Sequence, residues 1–461
     1  MTLIKSISGI RGTIGGISGN SLTPIEILKY TSAYAFQLQH KFPNEKLKVI
    51  VGRDARISGD MVSRLVIGTL LSMGIDVVDQ GLSTTPTVEL AVTDKKAFGG
   101  IILTASHNPR QWNALKLLNE NGEFLSAAEG EDIIKIADNN AFSFADIDSI
   151  GKCEKDYDAI KRHIERIIDL ELVDVEAIRQ ADFKVAIDTV NSTGGIAIPK
   201  LLKALGVDDI LELYTTPNGE FPHNPEPLPE HLSEISSLIK KKGADVGFVV
   251  DPDVDRLAII MENGEMFGEE YTLVAVADFI LQHKKGNTVS NMSSTLALRD
   301  ITETAGCQYS ASAVGEVNVV DLMKKTNAII GGEGNGGVIY PELHYGRDAL
   351  VGIALFLTYL AKRKISVSDL RKTYPQYFIS KNKIQLTPNA DVDKVLKAME
   401  IKYSSLEIST IDGVKIYFDK EWIHLRKSNT EPIIRVYSES STIEKAETLA
   451  HKIVDEIKNL M

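Results

Sequence analysis

Short apolar runs rich in β-branched residues recur along the chain, and each stops at a polar or glycine-containing turn. Lys48 to Val51 precedes GRDARISG, Gly99 to Leu103 precedes TASHNP, Phe183 to Ile187 precedes DTVNSTGG, and Val246 to Val250 precedes DPDVDR. Helix-like stretches lie between them, so the alternation predicts α/β units with parallel sheets. A nearly continuous apolar strand such as Val246 to Val250 suits a sheet covered on both faces. Groups placed just after such strands lie at the carboxyl edge of the sheet, where open α/β folds bind ligands.

The polar stretch Asp138 to Asp156 has the texture of a linker. NGEFPHNPEPLPEH at 218–231 carries too many prolines for a helix or central strand and predicts an ordered surface loop. After Lys362 to Pro375 the pattern changes: short strands at Val414 to Phe418 and Ile433 to Tyr437, then a helix-like tail from Thr442 to Leu460, predict a small α+β domain. No tandem repeat or low-complexity segment stands out.

A chain of 461 residues that is 43% hydrophobic exceeds one core and predicts three or four domains. The 51 basic and 63 acidic side chains leave a formal charge of −12, which argues against nucleic acid as principal partner. An anionic small substrate then needs local cations. Cys153 and Cys307 show neither disulfide nor zinc-ligand spacing and are expected as buried or partly buried thiols. The N-terminus lacks the apolar core and cleavage pattern of a signal peptide, and no run reaches the ~18 residues of a membrane span. A soluble cytoplasmic protein, not a membrane one, is the expectation.

Four loops carry candidate chemistry. In Thr104-Ala105-Ser106-His107-Asn108-Pro109, Ser106 follows an apolar strand between possible donors, although an ordinary Ser/Asn turn has the same composition. Adjacent Ser and His seldom make a hydrolase triad, and the GxSxG elbow is missing. In Asp251-Pro252-Asp253-Val254-Asp255-Arg256, carboxylates at i, i+2 and i+4 suit a hard cation such as Mg²⁺. Glu262 completes an EF-hand-like spacing, but Arg256 stands where that loop needs glycine and the preceding segment is strand-like, which excludes an EF-hand. Gly331 to Gly337, GGEGNGG, matches neither a P-loop nor a dinucleotide site, yet Glu333 and Asn335 could hydrogen-bond vicinal hydroxyls. Arg426-Lys427-Ser428-Asn429-Thr430-Glu431-Pro432, with Arg435 beyond it, offers a guanidinium, hydroxyls, an amide and turn N–H groups to a phosphate.

Together and in this order, from GIRG at 9–12 to RKSNTEP at 426–432, the loops resemble those of the α-D-phosphohexomutase family, which includes phosphoglucosamine, phosphomannose and phosphoglucose mutases. The resemblance implies an α/β fold of three similar mixed-sheet α/β domains plus a smaller C-terminal α+β domain around a central cleft. The expected divisions are 1–150 with the phosphoserine loop, 151–257 with the metal loop, 258–367 with the sugar loop and 368–461 with the phosphate loop. It marks Ser106 as the phosphorylated residue, and Asp251, Asp253 and Asp255 as Mg²⁺ ligands together with the Ser106 phosphate. Glu333 and Asn335 fall at sugar-contact positions; Arg426, Ser428, Asn429 and Thr430 fall at the distal phosphate site. Arg11, His107, Lys116 and Arg256 fall where the family places groups for proton transfer and charge stabilisation, and Arg347 matches a basic position after the sugar loop.

In the implied reaction the Ser106 phosphate passes to one end of a hexose phosphate, the hexose 1,6-bisphosphate turns over, and the other phosphate returns to Ser106. The bisphosphate is thereby also the expected activator, glucosamine phosphate the expected substrate with mannose or glucose phosphate the alternative, and monomer or homodimer the expected state. Three departures bear on the sugar: GEGNGG puts Gly337 where many members have histidine, KSISGIRG replaces an FGT-initial motif, and NALK at 113–116 replaces NGIK. Two rivals remain: a haloacid-dehalogenase-like phosphatase with Asp251 as nucleophile, because FVVDPDVD mimics its DxD motif, and a non-catalytic sugar-phosphate sensor. The position of that motif in mid-chain and the presence of TASHNP favour the mutase.

Overall fold

A computed structural model describes residues 2–6, 9–385, 391–427 and 433–459. The chain divides into two compact units, 1–272 with 335–368 and 273–334 with 369–461.

In the first unit a seven-stranded mixed sheet runs in the order Ile4–Ser6, Gly9–Thr13, Trp112–Leu118, Gly99–Leu103, Lys48–Arg53, Asp76–Leu82, Cys153–Lys155. Successive side chains of a strand point to opposite faces. Accordingly Val49, Val51, Ile101 and Leu103 enter one core with residues of helices Pro24–Lys41 and Gly59–Ser72. Ile50 and Ile102 enter the other with Val88 and Val92 of helix Thr85–Asp94. Burial on both faces explains why these strands read as uninterrupted apolar runs. A second sheet is ordered Leu257–Met261, Val246–Val250, Lys184–Asp188, Asp209–Leu213. Val246–Val250 is parallel to Lys184–Asp188 and antiparallel to Leu257–Met261, so residues 251–256 form the turn at its carboxyl end.

In the second unit Thr288–Asn291 pairs in parallel with Tyr309–Ser312 and Ile330–Glu333. A five-stranded antiparallel sheet follows, ordered Phe378–Gln385, Ile433–Ser440, Trp422–Lys427, Val414–Tyr417, Glu407–Ser409. Residues of helices Val392–Lys402 and Ile443–Lys458 share its core.

The linker expected at 138–156 is instead partly ordered structure. Cys153–Lys155 is an edge strand paired with Val77–Asp79, and Lys152 N–H donates to Asp76 Oδ1 at 2.8 Å. Three solvent-exposed residues have no apolar alternation, so only the open sheet edge reveals the strand. The edge position also leaves Cys153 exposed, contrary to the expected burial, while Cys307 is partly buried. Among the described residues no helix is long and apolar enough to cross a membrane.

Candidate active site

Ser106 is held by the turn that ends strand Gly99–Leu103. Its N–H donates to Thr104 Oγ1 at 2.9 Å, and that hydroxyl donates to Asp54 Oδ2 at 2.7 Å. Ser106 takes φ +48, a left-handed conformation that a non-glycine residue keeps only when its surroundings enforce it. Arg56 supplies the enforcement. Its Nε donates to Asp54 Oδ2 at 2.9 Å, Nη1 donates to the carbonyls of Pro109 at 2.8 Å and Trp112 at 3.1 Å, and Nη2 to those of Asn108 at 2.6 Å and Ser106. Both side chains of the Asp54–Arg56 pair are fully buried. GRDARISG reads only as a turn in the sequence; the available signal was an Asp-x-Arg spacing immediately after an apolar strand.

The acidic loop is equally constrained. Asp251 Oδ1 accepts the N–H groups of Asp255 and Arg256, both at 3.2 Å, and Val254 sits at φ +65. Ser192 and Thr193 hydroxyls donate to the Pro252 carbonyl at 2.7 and 2.9 Å. At the start of helix Thr85–Asp94, Thr85 donates its hydroxyl to Asp253 Oδ2 at 2.6 Å and its N–H to the Asp253 carbonyl at 2.9 Å. The three Asp side chains are 0% exposed, and one oxygen of each lies within 4.8 Å of the others.

Ser106 Oγ donates to Asp251 Oδ2 at 2.7 Å, which brings the serine loop onto the acidic loop across 145 residues of sequence. Lys116 Nζ lies 2.7 Å from Asp253 Oδ2 and 3.3 Å from Asp255 Oδ2; Arg347 Nη2 lies 2.6 Å from Asp255 Oδ2. Burial and the Asp255 and Asp253 charges push the Asp251 carboxyl well above the usual range. Burial acts the same way on Asp255, but Arg347, Lys116 and Arg256 overcome it and hold that carboxyl far below. For Lys116, burial opposes the charged form and the two carboxylates more than restore it, raising its pKa. Asp253 Oδ1 and Asp255 Oδ1 are buried without a hydrogen-bond partner among the described residues. Orphaned carboxylate oxygens in a buried all-oxygen cluster fit a divalent metal, because leaving them unpaired is costly.

His107 Nδ1 is 3.3 Å from Ser106 Oγ, and burial together with the Arg256, Arg347 and Arg11 charges keeps its pKa well below the ordinary histidine value. Arg11 lies opposite Ala114 on adjacent strands, which places it on the same sheet face as Lys116 two residues further on. Gly337 accounts for the room Arg347 occupies, since a Cβ there would collide with the arginine side chain. Gly337 thus goes with an arginine that reaches Asp255.

Glu333 belongs to the second unit and Asn335 to the first. Glu333 Oε1 accepts Asn291 Nδ2–H at 2.9 Å and Gly315 N–H at 3.2 Å; Asn335 Oδ1 accepts Gly337 N–H at 3.3 Å. Arg426 and Arg435 face each other across adjacent antiparallel strands, and Lys383 faces Arg435 on the next. Like charges directly opposite are unfavourable, and Asp412 Oδ2, 3.2 Å from Arg426 Nη1, offsets them in part. Sequence reasoning missed Lys383, whose alignment with the arginines exists only in the sheet register. Ser428, Asn429 and Thr430 lie outside the described residues.

Residues 4–144, 161–264 and 268–377 match α/β/α domains I, II and III of phosphoglucomutase/phosphomannomutase, and 381–456 match its C-terminal domain. The chain belongs to the phosphoglucomutase/phosphomannomutase family. It is thus an α-D-phosphohexomutase, an enzyme of intramolecular phosphate transfer, with three α/β domains and a distinct C-terminal one. It is 37% identical over 94% of its length to a phosphoglucomutase/phosphomannomutase of Thermococcus kodakarensis, covering 95% of that protein. It is 32% identical to a phosphoglucosamine/phosphogalactosamine mutase of Sulfurisphaera tokodaii, with 98% of both chains covered. Among solved structures, a phosphoglucomutase/phosphomannomutase family protein from Burkholderia thailandensis aligns with a TM-score of 0.84 at 26% identity, covering 98% of each chain.

Proposed function

We propose that this phosphohexomutase interconverts hexose 6-phosphate and hexose 1-phosphate through a phosphoserine at Ser106, with glucosamine phosphate as preferred substrate. The observation that carries the proposal is the 2.7 Å hydrogen bond from Ser106 Oγ to Asp251 inside a buried cluster of three aspartates. In the first half-reaction the phosphorus–Oγ bond of phosphoserine breaks and a bond forms to a substrate hydroxyl, whose proton is released while Ser106 Oγ takes one up. In the second, the other phosphate of the bisphosphate returns to Ser106, whose hydroxyl proton is lost as the sugar oxygen regains one. His107, neutral and 3.3 Å from Oγ, is the side chain best placed to carry that proton.

Asp251, Asp253 and Asp255, with an oxygen of the Ser106 phosphate, would hold Mg²⁺, which when bound supplies neutralisation of phosphoryl charge. A phosphoserine adds about −1.5 to −2 of charge at neutral pH, and Lys116, Arg256, Arg347 and Arg11 are the chain's own offset to it. Glu333 and Asn335 would bind sugar hydroxyls, while Arg426, Arg435 and the Ser428-Asn429-Thr430 loop would take the phosphate that is not being transferred. Hexose 1,6-bisphosphate would activate the resting enzyme by phosphorylating Ser106. The proposed setting is the cytoplasm, as monomer or homodimer.

The amino-sugar preference rests on relatives such as the Sulfurisphaera tokodaii protein and a probable phosphoglucosamine mutase of Methanopyrus kandleri, 30% identical over 98% of this chain. The 37% identical Thermococcus kodakarensis protein favours glucose or mannose phosphate as the second reading. Coupled assays over glucosamine, glucose, mannose and N-acetylglucosamine phosphates, primed with the matching bisphosphate, rank the substrates by kcat/KM. A glucosamine value well below the others overturns the preference. An acid-stable, hydroxylamine-resistant phosphate on the Ser106 peptide is expected; a hydroxylamine-labile phosphate on Asp251, with Ser106→Ala still active, would establish the phosphatase alternative instead.

A further inference from the structure

The proline-rich loop at 218–231 is fastened to the turn after strand Lys184–Asp188 and lies against Ala55 and Arg56. Gly219 N–H donates to the Asn191 carbonyl at 3.0 Å, and Asn191 Nδ2 donates to the Glu220 carbonyl at 2.9 Å. Gly219 takes φ +76 and lies so close to the Ala55 carbonyl that a Cβ would collide with it. The Phe221 ring lies 5.1 Å from the guanidinium carbon of Arg56, the residue that clamps the serine loop. His223 Nε2 is 3.1 Å from Asp188 Oδ2 at the end of strand Lys184–Asp188. Pro225 and Pro227 are buried on either side of Glu226, and Glu226 N–H donates to Asn224 Oδ1 at 3.1 Å. Two flanking prolines fix the backbone, so little conformational freedom is left to lose when the Glu226 side chain is engaged.

Glu226 Oε1 lies 3.4 Å from Arg256 Nη1 and 3.9 Å from His107 Nε2. The other ring nitrogen of His107 is the one 3.3 Å from Ser106 Oγ. We infer that Glu226 is a positioning residue for phosphoryl transfer: its carboxylate holds Arg256 beside His107 and Ser106. The inference rests on the phosphoserine reading above. Arg256 also feels Asp251 and Asp255, which attract it toward the aspartate cluster. The Glu226 carboxylate, 3.4 Å from Arg256 Nη1, competes with that pull and keeps the guanidinium where a phosphoryl group at Ser106 can meet it. Because Glu226 is a third exposed and on a loop, its loss should leave the cores intact.

The experiment compares Glu226→Gln, Glu226→Asp and, as control, Glu230→Gln, an exposed residue of the same loop, in the full chain with Mg²⁺ and hexose 1,6-bisphosphate. Losing one charge-assisted contact predicts kcat lower by about tenfold for Glu226→Gln with KM within about twofold, because the group acts on alignment and not on substrate affinity. Glu226→Asp, which keeps the charge, should recover part of the loss, and Glu230→Gln should match the parent. A kcat for Glu226→Gln equal to the parent's overturns the inference, as does a loss shared equally by Gln and Asp and accompanied by a lower melting temperature. A parent that turns over no hexose phosphate would remove the phosphoserine reading, and this inference with it; an active parent with an active Glu226→Gln variant removes the inference alone.

Discussion

Replacing Arg56 separates the stability of the serine loop from its alignment. In Arg56→Ala the fully buried Asp54 carboxylate loses its ion pair, and four loop carbonyls lose their donor. Breaking a buried pair by removing one partner costs about 3–5 kcal/mol. For a unit of this size that corresponds to melting roughly 6–20 °C lower, at about 2–4 °C per kcal/mol. Arg56→Lys keeps a positive charge for Asp54, but an ammonium lacks the planar fork that spans the carbonyls of Ser106, Asn108, Pro109 and Trp112. Its melting temperature should lie between those of the parent and the Ala variant. Turnover should nevertheless fall by about 10- to 100-fold, because a displacement of about 1 Å in the reacting group is enough to produce such a loss. The measurements are thermal unfolding followed by circular dichroism and a coupled mutase assay on the same samples at saturating substrate. An Arg56→Lys variant with parental kcat would refute the role of the guanidinium in holding Ser106 at φ +48.

Asp253→Asn keeps the shape of the side chain but removes one charge from the cluster, and should raise the Mg²⁺ concentration needed for half-maximal activity and lower kcat; parental metal dependence would exclude this loop as the metal site. Arg426→Ala should weaken substrate binding by about ten- to a hundredfold, read as KM, through loss of charge-assisted hydrogen bonds worth roughly 1.5–3 kcal/mol; an unchanged kcat/KM would remove the residue from the phosphate site. In the second unit, burial pushes His424 down to about 4, against the carbonyl of Asp412 and with the help of Lys415. A histidine whose folded pKa is depressed adds stability above its unfolded pKa of about 6.5 and loses it as pH falls toward the folded value. Stability measured by denaturant unfolding should therefore lose roughly 2 kcal/mol between pH 8 and pH 5 from this group, and His424→Gln should flatten the dependence. A pH profile unaffected by that substitution would exclude His424 as its source.

The apolar runs ending at TASHNP and DPDVDR determined, without any coordinates, that Ser106 and the aspartates lie just beyond strand ends. A strand buried on both faces has to be continuously apolar, and Gly99–Leu103 and Val246–Val250 are. The order of the four loops likewise determined the family, since side-chain chemistry at a phosphoryl-transfer site is written locally. What the sequence could not contain are the contacts between residues far apart in it. Arg56 reaches the carbonyls of another turn, Arg347 reaches Asp255 over 92 residues, and Glu226 reaches Arg256 over 30. Their partners are backbone oxygens or side chains brought near only by packing, and no local pattern records them. The edge strand at Cys153–Lys155 and the alignment of Lys383 with Arg435 and Arg426 share that origin. Register is a property of two strands together, so the tertiary structure alone decides it.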